Sequence, residues 1–180
     1  MGRTTSPNEV LVCGPDGAAR IADWLPDFGG AIVLCRALTK DDLIKELSRG
    51  HQPICVVEHK VPTSETVQDC AKLFPNGRGG LNVKAFVSNL SSSWGTKFGT
   101  TAYALLDELN AASPETKFIV TSHIRGSGIP PEQRARYKQR KEVLKVMGFT
   151  NSPVNYRYLM SLFSRVYLGT TWKQLASHQG

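Results

Sequence analysis

Short apolar runs separated by helical segments constrain the fold of this 180-residue chain more than any other feature. The runs are rich in Val, Ile, Leu and Ala, and polar residues do not alternate with apolar ones inside them. Strands with this pattern are buried on both faces, as in a parallel sheet that carries helices on each side. The predicted strands lie at residues 10–13, 31–35, 54–57, 84–87, 117–121 and 148–151.

Helical spacing fills several of the segments between these runs. Residues 18–25 and residues 101–110 each place their apolar side chains on one face. Thr39 offers an N-cap hydroxyl to a helix over residues 39–47. Because strands and helices alternate, the sequence predicts right-handed βαβ units in an α/β domain, with a doubly wound, mainly parallel sheet of five or six strands.

The length of the chain limits the number of domains. A chain of 180 residues with 41% hydrophobic residues fills one core and is short for two ordinary domains. We therefore expect a single domain over residues 1–168, with insertions near 63–98 and 124–145. A C-terminal tail over residues 169–180 follows it.

Apolar patterning and cysteine usage indicate the compartment. No apolar run approaches the roughly 20 residues that cross a bilayer, and the N-terminus lacks an apolar signal segment. The cysteines show no CxxC pairing and no metal-like spacing, so we expect reduced thiols, most of them in strands. We therefore expect a cytoplasmic protein without a membrane partner. The cysteines are Cys13, Cys35, Cys55 and Cys70.

Positive charge is concentrated in one stretch of the chain. The formal net charge is +7, and residues 130–145 hold six Lys and Arg residues against two Glu residues. We predict a basic helix over 130–145 that begins at Pro130. A local excess of this kind indicates a face that binds an acidic protein or a nucleic acid, and a solvated helix surface is the alternative.

Four motifs, taken in order, resemble the receiver domains of response regulators. Val-Leu-Val-Cys-Gly-Pro-Asp at 10–16 is similar to the family's first strand and acid pair. Residues 54–62 are similar to the strand that carries the phosphoacceptor, with a Pro four positions later. Residues 105–122 and 147–154 are similar to the family's third helix, threonine-ended strand, last strand and final helix. The resemblance implies a flavodoxin-like receiver fold and a role in signal transduction.

The resemblance also implies that the phosphorylation chemistry is lost. A receiver holds Mg²⁺ with an acid pair, takes the phosphoryl group on an Asp, and reads the new charge with a Thr and a Lys. Gly and Pro occupy the acid-pair positions here, and the longer Glu58 side chain displaces the acceptor carboxylate. The implied degenerate phosphoacceptor pocket consists of Asp16, Glu58, Thr121 and Ser152. An alternative alignment places Asn89 at the acceptor position, where an amide is no nucleophile.

The resemblance favours a non-enzymatic pseudo-receiver that acts as a protein-interaction, signalling or scaffolding module. It implies no catalytic residue, no cofactor and no metal, and a protein partner or a homodimer. The expected interaction surface contains Arg134, Arg136, Lys138, Arg140, Phe149, Tyr156 and Tyr158.

Two other functions stay open. A small nucleotide- or metal-dependent enzyme would use polar residues that follow the strands. Nucleic-acid binding would use the basic helix over 130–145. The strand-end cluster for the enzyme contains Asp16, Glu58, His59, Asn89, Ser122 and His123.

Overall fold

The fold was analysed in a computed structural model. The structure describes residues 8–14, 21–49, 52–63, 71–80, 82, 100–121, 129–147 and 153–169. The strands are β1 Glu9–Cys13, β2 Val33–Ala37, β3 Ile54–Glu58, β4 Lys60–Val61, β5 Thr100–Thr101, β6 Lys117–Thr121 and β7 Val143–Met147. The helices are α1 Lys40–Arg49, α2 Ala102–Ala112, α3 Pro131–Lys138 and α4 Pro153–Phe163. A 3-10 helix Leu25–Phe28 precedes β2, and a π-helical turn Ser164–Leu168 follows α4.

Five of the described strands form one sheet in the order β2-β1-β3-β6-β7, and all neighbouring pairs are parallel. The predicted doubly wound parallel sheet is therefore confirmed. The chain moves to one side of β1 for β2 and to the other side for β3, so the strand order reverses there. In open α/β sheets, ligands bind at the carboxyl ends of strands beside such a reversal.

Helices cover both faces of this sheet. Leu43, Leu106 and Tyr137 of α1, α2 and α3 pack against one face, in a cluster that includes Leu11 of β1. On the opposite face, residues of the 3-10 helix and of α4 pack in a second cluster, around Val12. Successive residues of β1 thus enter opposite clusters, which explains why the strand is apolar at every position.

Threonine hydroxyls define the first residues of two helices. The Thr39 Oγ1 atom accepts a hydrogen bond from the Asp42 backbone N–H at 3.2 Å, and the Asp42 carboxylate accepts one from the Thr39 N–H at 3.2 Å. This reciprocal pair confirms the predicted N-cap at Thr39. At α2, Thr101 Oγ1 accepts a bond from the Ala104 N–H at 3.3 Å.

The second strand begins two residues later than predicted. We expected it at 31–35, and it spans Val33–Ala37. Gly29 and Gly30 have φ values of 62° and 86°, and the Ala31 N–H donates to the Phe28 carbonyl at 3.2 Å. The end of the 3-10 helix therefore includes residue 31, and pairing with β1 starts only after it.

The predicted basic helix over 130–145 is wrong in its C-terminal half. Helix α3 ends at Lys138, and β7 occupies Val143–Met147, within the stretch expected to be helical. The Phe118 N–H donates to the Glu142 carbonyl at 2.7 Å, so pairing with β6 determines this part of the chain. The charged residues Glu142 and Lys145 hid the strand pattern. The strands predicted at 84–87 and 148–151 lie outside the described residues.

A short antiparallel pair joins the two ends of a long connection. Lys60 pairs with Thr101 and Val61 pairs with Thr100, so the chain leaves and re-enters the domain at adjacent points. The connection contains most of the insertion predicted near 63–98. The domain limits, both insertions and the tail stay predictions. In the described part of the chain, no helix has the length and apolar character that crossing a membrane requires.

Candidate functional site

Three predicted positions meet at the carboxyl end of the sheet. Glu58 ends β3 and pairs in register with Thr121, the last residue of β6. On the other side of β3, Cys13 pairs with Val57, which places Gly14 next to Glu58. We call Gly14, Glu58 and Thr121 the strand-end pocket.

The Glu58 side chain lies directly over Gly14. A Cβ atom built on Gly14 would overlap the Glu58 Cγ and Cδ atoms and lie 2.7 Å from Oε1. Gly14 also has a φ of +128°, a conformation that side chains with a Cβ rarely adopt. Only 2% of Glu58 is exposed. The Glu58 side chain therefore fills the space that an acidic side chain at position 14 would need.

Thr121 carries a buried hydroxyl at the same end of the sheet. The residue has no exposed surface, and its Oγ1 atom has no hydrogen-bond partner among the described residues. Leaving a buried hydroxyl unpaired costs about 1–3 kcal/mol. Of the predicted phosphoacceptor residues, Glu58 and Thr121 are thus brought side by side. Asp16 and Ser152 lie outside the described residues.

The thiols near the pocket are held in their neutral form. Burial, followed by the nearby charge of Glu58, raises the pKa of the Cys13 thiol. Burial raises the pKa of Cys55 as well, and burial together with a hydrogen bond to Glu9 raises that of Cys35 to about 12. All three are free cysteines, so the predicted reduced state is confirmed for them. A neutral, buried thiol is a poor nucleophile.

A buried hydrogen-bond network joins the residue after Glu58 to α3. The His59 Nδ1 and Tyr137 Oη atoms are 2.6 Å apart, and the Tyr103 backbone N–H donates to the same Oη at 3.0 Å. Burial raises the pKa of Tyr137, which therefore keeps its proton. Because Oη accepts from Tyr103, we assign its proton to the bond with His59, whose ring then carries its own proton on Nε2.

Sequence reasoning missed this role of Tyr137. We expected the aromatic residues near the basic helix to be available for stacking, whereas Tyr137 is fully buried and anchors α3 to the sheet. Its ring also meets His59 edge-on, with centroids 5.7 Å apart. A signal was present in the sequence, since Tyr137 is the one aromatic residue within a helix that is otherwise mostly charged and polar.

Only part of the predicted strand-end cluster is described. Glu58 and His59 are buried neighbours, and His59 bonds to Tyr137 and not to an acidic partner in the contacts above. Among the described residues, no three His, Cys, Asp or Glu side chains are grouped in a way that fits a metal ion. The other members, Asn89, Ser122 and His123, lie outside the described residues with Asp16.

The structure divides the predicted surface cations into two groups. Arg140 bonds to Asp107 at 2.6 Å and to Glu142, and these hydrogen bonds raise its pKa further. The Arg134 Nε–H donates to the Ile129 carbonyl at 2.9 Å. Arg136 and Lys138, in contrast, are exposed. The first group stabilises the domain, and the second group is available at the surface.

The two described tyrosines of the predicted surface make contacts within the domain. The Tyr156 hydroxyl donates to Asp27 at 2.5 Å, and its ring meets Trp24 edge-on at 5.4 Å. Tyr158 carries the Lys145 ammonium over its ring, 4.1 Å from the centroid. Tyr156 packs on the face of the sheet opposite to Tyr137. Phe149 lies outside the described residues.

Comparison with known proteins shows the fold. No protein-family model and no curated protein matches the chain. A CheY-like receiver domain protein from Methanospirillum hungatei JF-1 is similar in structure, with a TM-score of 0.54 and 11% identity over 92% of this chain and 100% of that one. The signal receiver domain of an HD domain-containing protein from Pseudomonas fluorescens Pf-5 gives 0.51 and 11% over 98% and 95%.

A structure described as adenylate cyclase from Rhodopirellula baltica is also similar, with a TM-score of 0.52 and 8% identity over 96% of this chain and 98% of that one. Likeness at such low identity shows architecture and nothing finer. The chain has the fold of response-regulator receiver domains, as its motifs predicted.

Proposed function

We propose that this chain is a pseudo-receiver, a protein-interaction module of a signalling system that accepts no phosphoryl group. One observation carries the proposal: the buried Glu58 side chain fills the space above Gly14. In the receiver resemblance, this is the space of the metal-binding acid pair. A receiver fold without that pair has only its shape and its surface to act with.

The position of Glu58 opposes both steps of phosphorylation. Mg²⁺ binds through oxygen ligands, usually several carboxylates and waters in an octahedron, and Gly14 contributes no side chain. The acceptor carboxylate must reach the incoming phosphorus atom, yet Glu58 is 2% exposed and packs against the end of β1. Small displacements of a reacting group cost large factors in rate. Glu58 therefore acts as a structural residue that closes the pocket.

The working surface of the proposed module lies on α3, β7 and α4, within residues 130–168. It would bind a protein partner in the cytoplasm, and this placement rests on the receiver resemblance. Arg136 and Lys138 support it, because both are exposed cations on α3. Arg140 and Arg134 contribute less to binding than expected from sequence, because each is bonded within the domain.

Acetyl phosphate labelling tests the proposal. The purified chain is incubated with acetyl phosphate and Mg²⁺, next to a phosphorylatable receiver domain as positive control, and both are examined by intact-mass spectrometry. We expect the control to gain one phosphoryl group and this chain to gain none. Stoichiometric phosphoryl incorporation at Glu58 or Asp16 would refute the pseudo-receiver assignment.

A further inference from the structure

An exposed leucine marks an irregular point in β7. Phe118 of β6 pairs with Val143, but the next residue, Ile119, pairs with Lys145. Leu144 is therefore an extra residue at a β-bulge, and its exposed fraction is 42%. Val143 and Val146, in contrast, pack against the helix-covered core. Bulges in outer strands re-aim side chains, and here the bulge leaves a large apolar side chain at the surface.

The bulge lies in the outermost strand of the sheet. β7 pairs with β6 on one side and ends the described strand order. Helix α3 packs against β7, and the turn that joins them contains Lys141. The exposed leucine is thus close in the chain to the end of the most basic helix.

Three cations of this region are exposed and form no ion pair among the described residues: Arg136, Lys138 and Lys141. The remaining cations are engaged, since Arg140 bonds to two carboxylates and Lys145 lies over Tyr158. Free positive charge therefore remains on α3 and on the turn before the bulge. The sorting is specific, because adjacent residues Arg140 and Lys141 fall into different groups.

We propose that Leu144, Arg136, Lys138 and Lys141, here the Leu144 site, bind an acidic segment of a partner protein that carries one apolar side chain. The inference rests on the proposed function and names its partner chemistry. Charge complementarity argues for an acidic occupant, and the exposed leucine supplies the apolar contact. A contact this small fits weak, transient association.

The same observations argue against two other occupants. A second copy of this chain, docked through a two-fold axis, would bring the three cations against their own equivalents. A nucleic acid is bound tightly through many phosphate contacts, often six to ten, which exceeds the cations that are free here. Both occupants nevertheless give distinct outcomes in the test.

Fluorescence anisotropy at low salt provides the test. The probe is a labelled synthetic peptide of Glu and Asp residues around one Leu, compared with a peptide in which Leu is replaced by Gln and with duplex DNA. We expect Arg136→Glu with Lys141→Glu to weaken peptide binding about tenfold or more, and Leu144→Ser to weaken it by a factor of about three. The matched control is Arg36→Glu with Lys45→Glu, which changes charge equally on exposed residues of β2 and α1 and leaves binding unchanged.

Other results would overturn the inference. These are absence of peptide binding, equal loss in the control variant, duplex DNA binding more tightly than the peptide, or a dimer in sedimentation that Leu144→Ser dissociates. Circular dichroism of each variant verifies folding. Acetyl phosphate labelling of the same samples is independent, so phosphorylation would refute the pseudo-receiver proposal while leaving a positive docking result intact.

Discussion

The strand-end pocket and the outer edge at β7 use charged residues in opposite ways. In the pocket, the Glu58 carboxylate is buried against Gly14 and serves the packing of the domain. At the edge, Arg140 is bonded internally while its neighbour Lys141 is exposed. The comparison teaches that charge type alone does not mark function in this fold. Whether a charged residue is occupied within the domain decides its role.

The largest expected effect follows from adding a side chain at the pocket. Gly14→Asp should destabilise the domain by about 2–4 kcal/mol, because the new Cβ overlaps Glu58 and the backbone φ disfavours it. Chemical denaturation measures the change. In a Glu58→Ala background the same substitution should cost clearly less, and a double-mutant cycle gives the difference. Equal costs in both backgrounds would contradict the described contact.

Removing one buried hydroxyl tests how firmly the edge helix is tied to the pocket. Tyr137→Phe should destabilise the protein by about 1–3 kcal/mol, because it leaves the Tyr103 N–H and one His59 ring nitrogen without their partner. Tyr103→Phe is the matched control, since it keeps the backbone N–H that makes the bond. Urea denaturation would argue against the network if both variants lost the same stability.

The edge itself offers a smaller and salt-sensitive effect. Arg140→Gln should cost about 0.5–1 kcal/mol at low salt and less at high salt, because its ion pairs with Asp107 and Glu142 are partly exposed. Arg136→Gln should change stability by less than about 0.5 kcal/mol, since Arg136 is exposed. Unfolding midpoints at two salt concentrations compare them. Similar losses for both would erase the division between engaged and free cations.

The smallest expected effect is a pH dependence in alkaline solution. Burial, followed by the hydrogen bond to Asp27, raises the pKa of Tyr156 from 10.0 to about 12. The folded protein thus binds this proton more tightly than the unfolded chain does. The resulting stabilisation is fully present below pH 10.0 and is lost as the pH rises to about 12. Tyr156→Phe should remove this component from the pH profile of the unfolding midpoint, and an unchanged profile would contradict the assignment.

The sequence predicted the sheet well where its signal was local. β1, β3 and β6 are buried on both faces, so each is a continuous apolar run that can be recognised directly. β7 was missed because an outer strand is partly exposed and carries Glu142 and Lys145 at its start and middle. There, pairing with β6 overrides the charge pattern that favoured a helix.

The candidate site was predictable in its positions but not in its contacts. Strand ends are readable from sequence, which brought Glu58 and Thr121 forward together. The overlap of Glu58 with Gly14 depends on backbone geometry between two strands. The bond between His59 and Tyr137 joins residues 78 positions apart. Such contacts arise only when the whole sheet is assembled.

The central claim is that the strand-end pocket is closed to Mg²⁺ and to a phosphoryl group. An NMR titration with Mg²⁺ and beryllium trifluoride, a mimic of the acyl phosphate, tests it most directly through the backbone amides of Gly14, Glu58 and Thr121. The account predicts that these three amide signals do not shift. Saturable shifts at the three positions would contradict it.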